Sequence, residues 1–142
     1  MAPQGEILFV NRRAFWLEPF WNPAPTTTLQ AFREGAFEGA WCLDASGTRW
    51  PIVAAQLSGA PSLLHRLFPR RRLSVQRSLG QPEPAQHAAV ADALCQVLQE
   101  PESEFPYYAL NISPDAMQLQ LRRVSSLSAL IDLVKAHSRR VD

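Results

Sequence analysis

The sequence predicts an α+β fold: a single antiparallel β-sheet of about five or six strands packed by two main helices, near residues 85–99 and 127–137. Three observations predict it. Short apolar runs bounded by Pro, Gly, Asn and Asp crowd the first half of the chain, which is strand-and-turn chemistry. Two later stretches repeat apolar residues at helical spacing. The connections are short, which favours hairpins over crossovers, and the regular βαβα alternation of a doubly wound sheet is missing. At 142 residues the chain has the length of one ordinary domain and is read as a single globular unit, 1–142.

The elements follow in order. Ile7-Leu-Phe-Val10 is a continuous apolar run, read as a short buried strand from Glu6. Asn11 and Arg12 turn the chain into a second strand, Arg13 to Glu18, where Ala14, Trp16 and Glu18 alternate with Phe15 and Leu17. Pro19, Pro23 and Pro25 make a stiff connection around Phe20 and Trp21. Thr26 to Thr28 offer an N-cap for a short helix, Leu29 to Glu34, and Gly35 suits the position after its end. A hairpin comes next: Ala36 to Leu43, the turn Asp44-Ala-Ser-Gly47, then Thr48 to Gln56. Gly47 can take positive φ there, and Asp44 can bond the turn backbone. Trp41 and Trp50 flank the turn and are expected to pair across the strands. Pro51 lacks an N–H, so its strand is expected at an edge, or with that nitrogen pointing outward.

Ser62 to Phe68 reads as one or two helical turns ended before Pro69. Arg70 to Leu79 alternates polar residues with Leu73, Val75 and Arg77 as a strand does, and Gly80 to Pro84 breaks it. Ala85 to Gln99 is helical by the spacing of Val90, Ala93, Leu94, Val97 and Leu98. Phe105 to Ile112 is expected to be extended. Met117 to Val124 alternates Met117, Leu119 and Leu121 with Gln118, Gln120 and Arg122, which predicts a strand. Ser125 or Ser126 then caps a final helix, Leu127 to His137.

The composition, 46% hydrophobic and 19% charged, supports a packed core and excludes wholesale disorder. A net charge of +1 argues against a dedicated polyanion binder. That figure is a cancellation of blocks, however: residues 66–77 sum to +5 and residues 78–121 to −6. All but one of the 14 basic residues are arginine, the exception being Lys135. With 12 prolines, this fits the codon bias of a GC-rich bacterial genome better than a functional demand.

No catalytic signature is present. The glycines form no phosphate loop, and HExxH, CxxC and GxSxG are all missing. His65, His87 and His137 are isolated, so no metal site and no cofactor is expected. Glu34 and Glu38 can meet at a helix-to-strand corner, but a paired-carboxylate site needs a pocket geometry that spacing alone does not show. Cys42 and Cys95 are expected to be half-buried free thiols. The N-terminus has neither a basic region nor an apolar run of secretory length, and no window approaches a membrane span, so the expected location is cytoplasmic.

Two features carry a binding reading. Arg66, Arg70, Arg71 and Arg72 form the densest basic cluster, and Trp21, set among prolines, is expected to be the least buried tryptophan. These five residues are the candidate contacts for a specific protein partner. The class they fit is a cognate inhibitor, such as an immunity-type protein that neutralises a secreted toxin by direct complex formation. A secretion chaperone or adaptor is the alternative, with a small hydrolase-like enzyme or a nucleic-acid-binding domain behind it. Neither a membrane nor a nucleic acid is the expected partner, and the oligomeric state is left open.

Overall fold

A computed structural model describes residues 2–59, 62–68, 71–100 and 110–138. Strand β1 (Ile7–Val10) is buried at every position, because it lies inside the sheet and both of its faces are covered. It pairs antiparallel with β2 (Phe15–Glu18) on one side and β4 (Trp41–Leu43) on the other. The tight turn into β2 is fixed by Asn11, whose Oδ1 accepts from the backbone N–H groups of Arg13 and Ala14. Strand β4 pairs with β5 (Thr48–Leu57), and β5 with β6 (Arg72–Leu79). The short strand β3 (Thr26–Thr28) closes the row beside β6. The order is therefore β2-β1-β4-β5-β6-β3, with the two-residue β7 (Glu83–Pro84) also on β5, and all pairings are antiparallel. A single antiparallel sheet in an α+β chain is what the sequence predicts.

The sheet is strongly curled. Strands β2 and β6 stand four strand spacings apart, about 19 Å in a flat sheet, yet Arg77 on β6 bonds Glu18 on β2 at 2.6 Å. Bending brings the concave faces of Ile7, Phe9, Cys42, Trp50, Ile52 and Leu79 together as an inner apolar layer. Phe9 stacks on Trp16 at 4.6 Å, and Arg77 lies over the Trp21 ring at 4.3 Å. Residues 19–25 strap the two edges of the sheet, running from the end of β2 to the start of β3. The carbonyls of Pro23 and Pro25 accept from the N–H groups of Arg77 and Val75, and that of Asn22 accepts from Arg77 Nε. A proline-rich strap suits this position, since it lends acceptors and has few donors of its own to satisfy.

Helices cover the opposite face of the sheet's other end. After α1 (Leu29–Arg33) and α2 (Leu63–Leu67) come α3 (His87–Gln99), α4 (Pro114–Leu121) and α5 (Leu127–His137). Their buried residues, among them Val90, Leu94, Leu98, Met117, Leu121, Leu130 and Val134, form one cluster with Leu8, Val10, Phe15, Trp41 and Leu43. Thr28, Ser113 and Ser126 cap α1, α4 and α5 through their hydroxyls.

Several expectations are corrected. The segment expected to be a strand at 117–124 is helix α4 over most of its length. Met117 and Leu121 stand one turn apart and are both buried, while Leu119, in phase for a strand, is left exposed. Ser113 as cap, Pro114 in the first turn and Asp115 behind it are helix-start chemistry that outweighs the alternation. Trp41 and Trp50 do not pair: Cys42 stands opposite Trp50, so the two rings point to opposite faces of the sheet. Strand β5 is not an edge. Pro51 O accepts from Gly80 N on the β6 side, so its nitrogen faces the step between β7 and β6, where no ladder bond is demanded. Strands β3 and β7 were not anticipated, and the extended segment expected at 105–112 lies mostly outside the described residues.

The hairpin turn between β4 and β5 is organised by one carboxylate. Asp44 accepts from the backbone N–H of Gln4, Ser46 and Thr48, from Ser46 Oγ at 2.6 Å and from Trp50 Nε1 at 3.2 Å, and Gly47 takes φ of 82°. Burial works against its charge, but the hydrogen bonds from Ser46, Thr48, Gln4 and Trp50 outweigh it and hold the carboxyl below its ordinary value of 3.8. A carboxyl depressed in the folded state stabilises the fold above its unfolded pKa, and that stability is lost as pH falls through the folded value. Urea denaturation followed from pH 7 downward should show the loss below about pH 4, and Asp44→Asn should be less stable at neutral pH with a shallower acid decline. The buried Arg77–Glu18 pair yields a second prediction. Arg77→Ala should cost about 3–5 kcal/mol by equilibrium denaturation, because it strands a carboxylate. The double change Arg77→Met with Glu18→Gln should recover a large part of that loss.

Candidate functional site

The β5–β6 arm runs past β4, with β3 beside β6 as far as Arg72. Beyond Pro51, β5 has left β4 behind, and from Ala54 to Leu57 its ladder partner is β6. The chain crosses from one strand to the other through residues 58–71, which hold α2. Leucines are good helix formers, and the following proline keeps the helix to little more than one turn. Phe68 N bonds Leu64 O at 2.9 Å, and Arg71 N bonds Phe68 O at 2.9 Å, so the turn continues just past the helix. The large apolar side chains described on and just after this short helix face water. Leu63 is 68% exposed, Leu67 63%, Phe68 60% and Leu64 46%. Leu63 with Leu67, and Leu64 with Phe68, stand one turn apart and make two adjacent apolar ridges.

The expected contact residues divide between this tip and the inner layer. Arg66 lies on α2, and Arg70 is outside the described residues. Arg71 is exposed just ahead of β6. Arg72 opens β6, exposed, with its guanidinium bonded to Thr26 Oγ1 at 2.8 Å and Thr26 O at 2.6 Å, which ties the base of the tip to β3. Trp21 is elsewhere. It is half-buried, stacked by Arg77 and packed against the layer of Ile7, Cys42 and Trp50. Trp16 is likewise half-buried, and the exposed aromatic of the strap is Phe20. The sequence reading missed these four apolar residues, three on α2 and Phe68 just after it. Their signal was legible: a run dominated by apolar side chains, in a strand-to-strand connection too short to bury them.

Other candidates for chemistry are poorer. Glu34 and Glu38 do come together, lining an open pocket of about 140 Å³ with Asn11, Arg12, Arg13, Ala31, Gly35 and Ala36. Arg13 Nη1 reaches Glu34 at 3.4 Å and Gln30 bonds the same carboxylate, an arrangement of exposed ion pairs. Among the described residues, no three His, Cys, Asp or Glu side chains gather as a metal site requires, and no helix is long and apolar enough to cross a membrane. His137 bonds Asn111 at 2.6 Å and fastens the segment before α4 to the end of α5.

The two cysteines are free and buried on opposite sides of the sheet, Cys42 in the inner layer and Cys95 in the helix-covered core. Burial pushes the Cys42 thiol up to about 12, with Arg77 opposing and Glu18 and Asp44 adding to the rise. Burial raises Cys95 as well. Neither is placed to act as a thiolate nucleophile near neutral pH.

The chain matches no family model, no curated protein and no solved structure. Any functional reading therefore rests on the residues themselves.

A prediction follows for the thiols. Both should resist iodoacetamide in the native protein at pH 7.5–8.5 and react together once denaturant unfolds it, with mass spectrometry counting the adducts.

Proposed function

We propose that this is a protein-binding protein, and that it works by forming a direct complex with one specific partner through the α2 tip. The observation that carries this reading is the concentration of large exposed apolar side chains, Leu63, Leu64, Leu67 and Phe68, on and just after one short helix. Singly exposed leucines are ordinary; a cluster presented at the end of an arm marks an interaction site. Arginines beside apolar anchors are the composition of binding hot spots.

Within that class, the reading is a cognate inhibitor of the immunity type, made in a bacterial cytoplasm, which neutralises a toxin by covering or distorting its active site. Such a protein needs a stable scaffold and an exclusive protruding surface. A secretion adaptor is the runner-up, because it too would present an apolar docking element.

A photo-crosslinking residue placed at Phe68 in the full chain, expressed in the native organism, should trap one dominant protein in a 1:1 adduct. Leu67→Ser with Phe68→Ser should weaken that complex at least tenfold, about 1.4 kcal/mol or more, while leaving the denaturation midpoint nearly unchanged, since both side chains are already in water. A complex indifferent to both changes would remove α2 from the interface. A partner cleaved, secreted or folded by this protein, and not inhibited by it, would shift the reading to the runner-up.

A further inference from the structure

We infer that the partner surface seated on the α2 tip is an apolar groove rimmed by carboxylates, an inference that rests on the protein-binding reading and narrows it. Between Asp44 and Glu83 the sequence has six arginines and no acidic residue. Among the described residues two of the six have a carboxylate partner inside the fold: Arg49 meets Glu83 at 2.7 Å, and Arg77 meets Glu18 at 2.6 Å. The other four, Arg66, Arg70, Arg71 and Arg72, are the residues that flank the exposed leucines in sequence. Arg71 and Arg72 are both exposed, and among the described residues no carboxylate lies within ion-pair distance of either.

This arrangement constrains whatever covers the tip. Arg71 donates its N–H to Phe68 O, so its backbone lies against the end of the apolar ridge. A surface that closes over Leu67 and Phe68 therefore comes against Arg71 and takes water from its guanidinium group. Removing water from a cation without supplying a counter-charge is costly, whereas a carboxylate at the rim turns the same step to advantage. Arg72 contributes differently. Its guanidinium is committed to Thr26, so it fixes the base of the tip and adds to the positive field, while Arg71 is the residue able to reach outward.

The apolar component separates a protein from the other polyanions. A nucleic acid would meet the arginines through its phosphates but has no apolar groove for three leucines and a phenylalanine. Membrane-surface segments combine Lys or Arg with Trp, Phe and Leu, a composition the tip shares in part, but the side chains that anchor at the headgroup level are Trp and Tyr. The tip has neither, although the chain contains four tryptophans.

The test uses the full chain and three probes: the protein trapped by the Phe68 crosslinker, vesicles of three parts phosphatidylcholine to one part phosphatidylserine, and single-stranded oligothymidylate. Arg71→Glu, alone and with Arg66→Glu, should slow association with the trapped protein about tenfold or more at low salt. The difference should close at high salt, and dissociation should change little. Leu67→Ser should instead speed dissociation. Neither polyanion probe should bind. If the complex forms but charge reversal leaves its association rate unchanged, the acidic rim is wrong and the protein-binding reading stands. Tight binding to the vesicles or the oligonucleotide, lost in Arg71→Glu, would give the tip to a different occupant and overturn the inference. If no protein is trapped and neither polyanion binds, both readings fall.

Discussion

The fold depends on the ion pair between Arg77 and Glu18. It joins strands that stand far apart in the order of the sheet, with the arginine side chain 1% exposed and the carboxylate 13%. A buried cation is tolerable only where each of its donors has a target. Here Nη1 and Nη2 bond Glu18, Nε bonds the Asn22 carbonyl, and the face of the guanidinium lies on Trp21. Glu18 takes a further bond from Trp16 Nε1. This geometry can be assembled only if the sheet curls, and only if the strap returns across β6. The pair thus specifies closure more than it adds stability, because an apolar pair of similar volume could fill the same space.

Curling divides the labour between the two faces. The inner layer is aromatic, small and self-contained, and it needs no helix. The three longer helices can then all gather on the opposite face of β2, β1 and β4, where the larger apolar cluster lies. Strand β6 shows the consequence for the other end. Its inward residues Val75 and Arg77 are buried, while Arg72, Ser74, Gln76 and Ser78 on the other face meet water. Among the described residues no helix covers that face, and its polar alternation suits exposure to water. The abrupt change from this polar face to the leucines of α2 makes the tip distinct from the arm that carries it.

Much of this was legible in the sequence, and the parts that were not have two causes. Local signals were read well. Ser126 does cap the last helix, Thr28 caps the first, Gly35 ends it at a φ of 83°, and Asp44 and Gly47 do build the hairpin turn. Each depends on residues a few positions apart. Long-range relations were hidden. Nothing in Arg77 marks it as the partner of Glu18, fifty-nine residues earlier; its place in the alternation showed only that it points inward. Phase was the other source of error. Over a segment as short as Met117 to Leu121, residues spaced by two and by four coincide, so a strand and a helix predict the same two buried positions. The capping residues ahead of it, and the exposure of Leu119, separate the two.

The same distinction applies to the candidate site. Sequence clustering pointed to arginines because four of them lie close together, whereas the tip is defined by exposure, which spacing does not report. Trp21 shows the converse. Its proline-rich setting suggested an accessible anchor, yet those prolines form the strap that lays its ring against Arg77. The two halves of the original site therefore act at different levels. Trp21 helps close the sheet, and the arginines near α2 belong to the connection between β5 and β6. A change at Trp21 that weakens binding would have to act through the strap and the seating of β6, and so would carry a loss of stability with it. A change at Leu67 or Arg71 has no such route, since neither side chain packs into the fold, and its effect on a partner would be direct.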